Sequence, residues 1–232
     1  MGNAFSEPPQ QKIIVFIEGN ISAGKSTLIS NLKQAGYPVW EEAVTQLTQH
    51  YVDEHGHNIL DLYYKDMKAN AFRLQMASLN TRWTIIKEAL QYLEDHPSDR
   101  NVVFIERSLE TDVNTFALNL REQGKLDNID WRIYLDSLDN KLNDIEPLFE
   151  GIKIVYFYLR VDPTVCDDRR INRSRAEESS IPITYMNDLH SKLEKWLVGN
   201  DKMDNPVHVI DANKSADEVA HAIIQEVRTL FQ

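Results

Sequence analysis

A parallel β-sheet covered on both faces by helices is the fold class that the sequence predicts, from three observations. Five short apolar runs rich in β-branched and aromatic residues punctuate the chain: KIIVFIE (12–18), PVWEE (38–42), NVVFIE (101–106), KIVYFYL (153–159) and PVHVI (206–210). They read as strands buried on both faces. Long helical patterns separate them, and strands that alternate with helices close into a parallel sheet. The first strand runs into a glycine-rich turn, GNISAGKST, and then into a helical stretch, STLISNLKQAG.

That turn carries the first chemistry. Gly19, four residues, then Gly24-Lys25-Ser26 is the pattern G-x-x-x-x-G-K-[ST], in the strand-to-helix setting that it needs. Glycines let the backbone wrap closely around phosphates, and the next helix turns its positive dipole end to them. The stretch Gly19, Asn20, Ile21, Ser22, Ala23, Gly24, Lys25, Ser26, Thr27 is therefore the expected cradle of a nucleoside triphosphate. Lys25 supplies a point charge to the outer phosphates, and Ser26 a hydroxyl to Mg²⁺. A P-loop NTPase-type, three-layer fold follows as the expectation.

Further along, Glu41-Glu42 ends the second strand, and side chains alternate, so one of the two faces the site. The helix pattern over 70–95 has an apolar seam of Phe72, Met76, Leu79, Trp83, Ile86, Leu90 and Leu93. Gln75, Ser78 and Arg82 form a polar stripe beside it, which serves either as a rim or as a cavity lining. Glu106-Arg107-Ser108 closes the third strand. Glu106 suits a metal or its water shell, Arg107 suits charge on an oxygen, and Ser108 suits a helix N-cap. Asp112 and Phe116, four residues apart, share a face of the helix that follows. After the fourth strand, Arg160, Arg169, Arg170, Arg173 and Arg175 crowd a short stretch, with Arg169 and Arg173 one helical turn apart.

In order, GNISAGKST, Glu42, NILDLYYKD, Gln75, ERS and RINRSRAEES resemble the deoxyribonucleoside kinases, from about residue 13 to residue 198. The resemblance implies transfer of a phosphoryl group from ATP or another triphosphate, with Mg²⁺, to the 5′-hydroxyl of a deoxynucleoside. It implies Glu42 as general base, Arg107 as the bridge between that base and the hydroxyl, and Glu106 on the magnesium side. Tyr64 and Glu178 match the pair at the sugar 3′-hydroxyl, Gln75 the reader of the base edge, and Phe116 the ring stacked on the base. Arg82 and Asp112 match the pair found in members acting on deoxycytidine, deoxyguanosine or deoxyadenosine rather than thymidine. Arg169, Arg173 and Arg175 match a mobile helical lid over about 169–180. The family is usually dimeric, which makes a homodimer the expectation. Two departures weaken the aromatic clamp on the base. Glu42-Ala43-Val44 with Leu47 replaces Glu-Pro-Val with a tryptophan, and Leu74 stands where many members have phenylalanine.

Composition bounds the rest. The 232 residues suit one domain over 12–232 behind a flexible tail at 1–11, and no linker or repeat divides them. A net charge of −11 argues against nucleic-acid polymers as partners. Cys166 is the single cysteine, so no intrachain disulfide forms, and a reducing, cytoplasmic setting fits. No run is long enough to span a bilayer, and no signal or transit peptide stands out. Gly2 with Ser6 matches an acylation pattern, so membrane contact is expected only if Gly2 is myristoylated. Two rivals stay open. A nucleoside-monophosphate kinase would need a basic pocket for its acceptor's phosphate. A non-enzymatic nucleotide-binding switch would need neither Gln75 nor Tyr64.

Overall fold

Five parallel strands in the order β2-β3-β1-β4-β5 form the central sheet of the computed structural model. The structure describes residues 11–41, 44–97, 101–173, 181–199 and 203–230, Thr45 by its backbone alone. The tail before Gln11, with Gly2, and the expected site residues Glu42, Arg175 and Glu178 lie outside the described residues, as does the 174–180 part of the lid. The strands are β1 (Lys12–Gly19), β2 (Val39–Trp40), β3 (Val102–Glu106), β4 (Ile152–Arg160) and β5 (Val207–Asp211). β1, flanked by β3 and β4, is buried over Ile13–Gly19. Its side chains alternate between two cores. Ile13, Val15 and Ile17 pack toward α1 (Lys25–Gln34), α8 (Pro163–Arg173) and α10 (Ala216–Thr229). Ile14 and Phe16 belong to the core formed with α2 (Val44–His50), α3 (Ile59–Lys65), α4 (Met67–Asp95), α7 (Asn128–Ile145) and the end of α9 (Ile183–Leu193). This is the three-layer α/β fold that the alternating runs predict.

Two elements differ in detail from the sequence reading. β2 is two residues long, where 38–42 was the expectation. Pro38 has no N–H to donate and joins only through its carbonyl, which accepts from Phe104 N–H at 3.0 Å. At its other end Glu41 is exposed and lies 3.7 Å from Lys33. The apolar seam of α4 is buried at Leu79, Ile86, Leu90 and Leu93. Phe72, Met76 and Trp83 are half-buried, because the first half of the helix turns Ala71, Leu74, Gln75 and Arg82 inward.

The helix after β3 is not uniform. α5 (Leu109–Thr111) starts at Ser108, whose side chain caps it reciprocally with Thr111. A π-helical stretch, Asp112–Ala117, then leads into α6 (Leu118–Glu122). The Thr115 hydroxyl bonds the Thr111 carbonyl within it. Asp112 and Phe116 of this wider turn line the cavity described below, and such turns are frequent at functional sites.

Gly19 ends β1 beside Leu159 of β4. Its φ is +151°, and a Cβ there would lie 3.0 Å from the Leu159 carbonyl oxygen and 3.1 Å from the Ala23 Cβ. Gly19→Ala should therefore cost roughly 1–3 kcal/mol of stability. Gly124→Ala, at φ +67° with no neighbour within 4 Å of the added methyl, should cost less. Urea unfolding midpoints of the two variants check the order.

Candidate active site

The glycine loop leaves β1 at the switch point of the sheet, where strands on either side run to opposite edges and ligands collect. Gly24, at φ +103°, begins α1 without a side-chain cap, and the first turn holds no acid. The positive end of the helix dipole therefore faces the loop with no acid of its own first turn to offset it. Lys25 is buried. Its ammonium donates to the carbonyls of Asn20 at 2.8 Å and Gly19 at 3.3 Å, and lies 3.9 Å from Glu106. Ser26 lines the same cavity. A carboxylate and a hydroxyl are hard oxygen donors of the kind that Mg²⁺ takes. Among the described residues no cluster of three or more acidic, His or Cys side chains could hold a metal alone. A donor set this small fits Mg²⁺, which keeps several waters and substrate phosphates as ligands.

One cavity of about 790 Å³ runs from this loop to α4. Tyr64, Gln75, Ser78, Arg82, Glu106, Arg107, Asp112 and Phe116 all line it, so the polar stripe on α4 is a cavity lining and not a rim. Gln75 is buried, and its Oε1 has no hydrogen-bond partner among the described residues. An orphaned carbonyl there is an acceptor waiting for a ligand's donor. Arg82 and Asp112 form a buried two-pronged pair, Nε to Oδ2 at 2.9 Å and Nη2 to Oδ1 at 3.1 Å. Arg82 Nη1 also donates to the Glu106 carbonyl at 3.1 Å, so the pair is fixed to the end of β3.

Arg107 is buried with φ +68°, and its guanidinium lies 4.9 Å from the centre of the Phe116 ring. Its Nη1 donates to the Gly19 carbonyl at 2.9 Å. The glycine loop's Lys25 and the turn after β3 therefore share one carbonyl. Glu106 ends β3 and lies 3.9 Å from Lys25, whereas Arg107, just past the strand, takes a left-handed conformation that sets it against Phe116.

The arginines of the α8 region divide. Arg169 and Arg173 line the cavity. Arg169 also donates to the carbonyls of Ala23 at 3.4 Å and Ala212 at 3.0 Å, bridging the glycine loop and the segment after β5. Arg170 is buried against Asp167, and Arg160 pairs with Glu194. Trp40 packs edge-on against Tyr92 at 5.4 Å and does not line the cavity.

The family model for deoxynucleoside kinase matches residues 15–232. The chain belongs to the deoxynucleoside kinase family. It is 36% identical over 204 residues to a probable deoxycytidine kinase of fowlpox virus (strain NVSL), covering 88% of this chain and 79% of that protein. It is 32% identical to the deoxycytidine kinase of Bos taurus, over 92% of this chain and 89% of that protein. A deoxyguanosine kinase of Dictyostelium discoideum is 33% identical over 88% of this chain and 65% of that protein. This kinase is thus a phosphotransferase of that family with the P-loop type of α/β fold.

Several residues at the site escaped the sequence reading. Tyr63 and Tyr185 line the cavity beside Tyr64, and their side chains are hydrogen-bonded to each other. Burial pushes the Tyr63 hydroxyl up to about 12, so it stays protonated at neutral pH. Nothing in the spacing of LYYKD and IPITY shows that they meet. Ala212, Lys214, Ser215 and Ala216, after β5, line the cavity as well. Glu18, behind the cavity wall, does signal itself in the sequence, as an acid in an otherwise apolar stretch of β1.

The buried ion pair gives a testable energy. Arg82→Met alone leaves the Asp112 carboxylate buried without its partner and should cost about 3–5 kcal/mol. Adding Asp112→Ala should restore most of that loss. Urea denaturation of both single variants and the double variant measures it.

Proposed function

We propose that this kinase transfers the γ-phosphoryl group of ATP, or another nucleoside triphosphate bound with Mg²⁺, to the 5′-hydroxyl of a deoxyribonucleoside in nucleotide salvage. Deoxycytidine and the deoxypurines are favoured over thymidine. The observation that carries the reading is the single cavity joining Lys25 to Gln75, Arg82 and Asp112. A triphosphate tail fits the cationic end, where Lys25, Arg169, Arg173 and Lys214 gather in a chain of net charge −11. A nucleoside base fits the other end, with an orphaned amide oxygen, a buried ion pair and an aromatic ring.

The glycine loop and Lys25 hold the donor's phosphates. Ser26 and Glu106 are the residues that would hold Mg²⁺, whose charge screens the phosphate oxygens when it is bound. Glu42 takes the proton of the 5′-hydroxyl as its oxygen bonds to the γ-phosphorus and the bond to the β-phosphate oxygen breaks. Glu41 is directed at Lys33, which leaves Glu42 for that task. Arg107 steadies the attacking oxygen, and Arg169, Arg173 and Arg175 the charge on the transferring group. Tyr64 and Glu178 take the sugar 3′-hydroxyl. Gln75 offers a donor and an acceptor to the base edge, and Phe116 stacks on it. The Arg82–Asp112 pair is relevant to the base because a cation and an anion held together in the cavity lining can bond the ring's exocyclic groups.

Three parts of the reading come from sequence alone. The homodimer rests on the resemblance, the cytoplasmic location on the single cysteine, and contact with a membrane on the Gly2 motif. Among the described residues no helix is long and apolar enough to cross a membrane.

A panel of the four deoxynucleosides and their monophosphates with MgATP tests the substrate class. Phosphorylation of deoxycytidine or a deoxypurine in preference to thymidine is expected, and turnover of monophosphates alone overturns the reading. Glu42→Gln should lower kcat by roughly 10²–10⁴ with little change in nucleoside affinity. Near-normal turnover would remove Glu42 as the base. Arg82→Met with Asp112→Ala should shift relative kcat/KM toward thymidine, and unchanged ratios would refute the role given to the pair.

A further inference from the structure

Glu18 is fully buried where β1 meets the loop leaving β3. Its Oε1 accepts the Ser108 N–H at 2.9 Å, and its Oε2 accepts the Thr111 hydroxyl at 2.5 Å. Ser108 and Thr111 are the reciprocal cap of α5, so Glu18 holds that cap from outside. The residue just before the cap, Arg107, has φ +68°. A non-glycine side chain keeps a left-handed backbone only where its surroundings over-determine it. Here three consecutive residues of β1 do so. The Ile17 carbonyl accepts Arg107 N–H at 3.0 Å, Glu18 accepts Ser108 N–H, and the Gly19 carbonyl accepts the guanidinium at 2.9 Å.

We propose that Glu18 is a positioning residue for phosphoryl transfer: by binding Ser108 N–H and the Thr111 hydroxyl, its carboxylate fixes the turn that delivers Arg107 to the acceptor oxygen. The inference rests on the role given to Arg107 above. Space filling does not account for an acid here. Burial pushes the Glu18 carboxyl above its ordinary range, opposed first by the Arg107 charge and then by Thr111 and Ser108. Glu110, next to this cap, is pushed the same way by burial and is hydrogen-bonded to Ser108 and Tyr156. An uncharged side chain of the same size would avoid that desolvation, so the carboxylate is there for what it binds.

Steady-state kinetics with MgATP and the preferred deoxynucleoside test the inference on Glu18→Gln, Arg107→Lys and the double variant. Glutamine preserves the length and one acceptor, but its amide nitrogen cannot accept from Thr111. Glu18→Gln should lower kcat about 10–100-fold, the scale of a misplaced catalytic group, with KM for the nucleoside changed by less than ~3-fold. Its unfolding temperature should stay within about 2–4 °C of the parent. In the Arg107→Lys background the same change should cost less than ~3-fold, because the group that it positions is gone. Equal losses in both backgrounds, or undiminished kcat in Glu18→Gln, would overturn the inference alone. An Arg107→Lys enzyme with full turnover would overturn the role of Arg107 and the inference with it. Glu18→Asp, too short to reach both partners at once, supplies a second test should the double variant not fold. It should lose kcat as Glu18→Gln does, and parental kcat would count against the proposal.

Discussion

The Gly19 carbonyl is the point on which the site depends. It accepts from Arg107 on one side and from Lys25 on the other, at 2.9 and 3.3 Å. It can do so because β1 runs parallel to β3 in a register that pairs Ile17 with Glu106. That register brings the ends of the two strands level, so that the glycine loop and the Glu106-Arg107-Ser108 turn leave the sheet together. A slip would separate the glycine loop from the Glu106-Arg107-Ser108 turn, since moving one residue along a strand also turns its side chains to the other face. The close pass of Gly19 by Leu159 adds a third wall from β4.

Around this corner, charge is arranged in a way that the total does not reveal. The chain is strongly acidic, yet Lys25, Arg82, Arg107, Arg169, Arg173 and Lys214 all line one cavity. Several are held rigidly: Arg82 by Asp112 and the Glu106 carbonyl, and Arg169 by the carbonyls of Ala23 and Ala212. Groups fixed before the substrate arrives need little reorganisation when charge develops, which is where enzymes obtain much of their electrostatic stabilisation. The cost is desolvation, and buried partners offset it. The π-helical turn at Asp112–Ala117 belongs to the same arrangement, because it presents both Asp112 and Phe116 to the cavity.

Much of this could be read from the sequence where a feature is local. The glycine loop, the Ser108 cap and the strands of the sheet are each written in a few adjacent residues. The pattern failed where burial depends on what lies opposite. The seam of α4 does pack against the core, Phe72, Met76 and Trp83 included, but its period does not show that Leu74, Gln75 and Arg82 beside it are buried as well, next to a cavity. PVWEE read as a five-residue strand, whereas a proline at one end and a solvated glutamate at the other leave two paired residues. The crowd of arginines after β4 could not be sorted by spacing. Arg169 and Arg173 face the cavity, while Arg160 and Arg170 are paired with Glu194 and Asp167.

By itself the sequence determined the class of fold, the phosphate loop and the family, because periodicity, a short motif and an ordered set of motifs are properties of the chain read in line. Only the tertiary structure decided which distant residues meet. Tyr63 finds Tyr185, Arg82 finds Asp112, and Glu18 finds Ser108 and Thr111 across 90 and 93 positions. Such pairings depend on strand order and register, which arise from packing the two cores against the sheet and are encoded in no single segment.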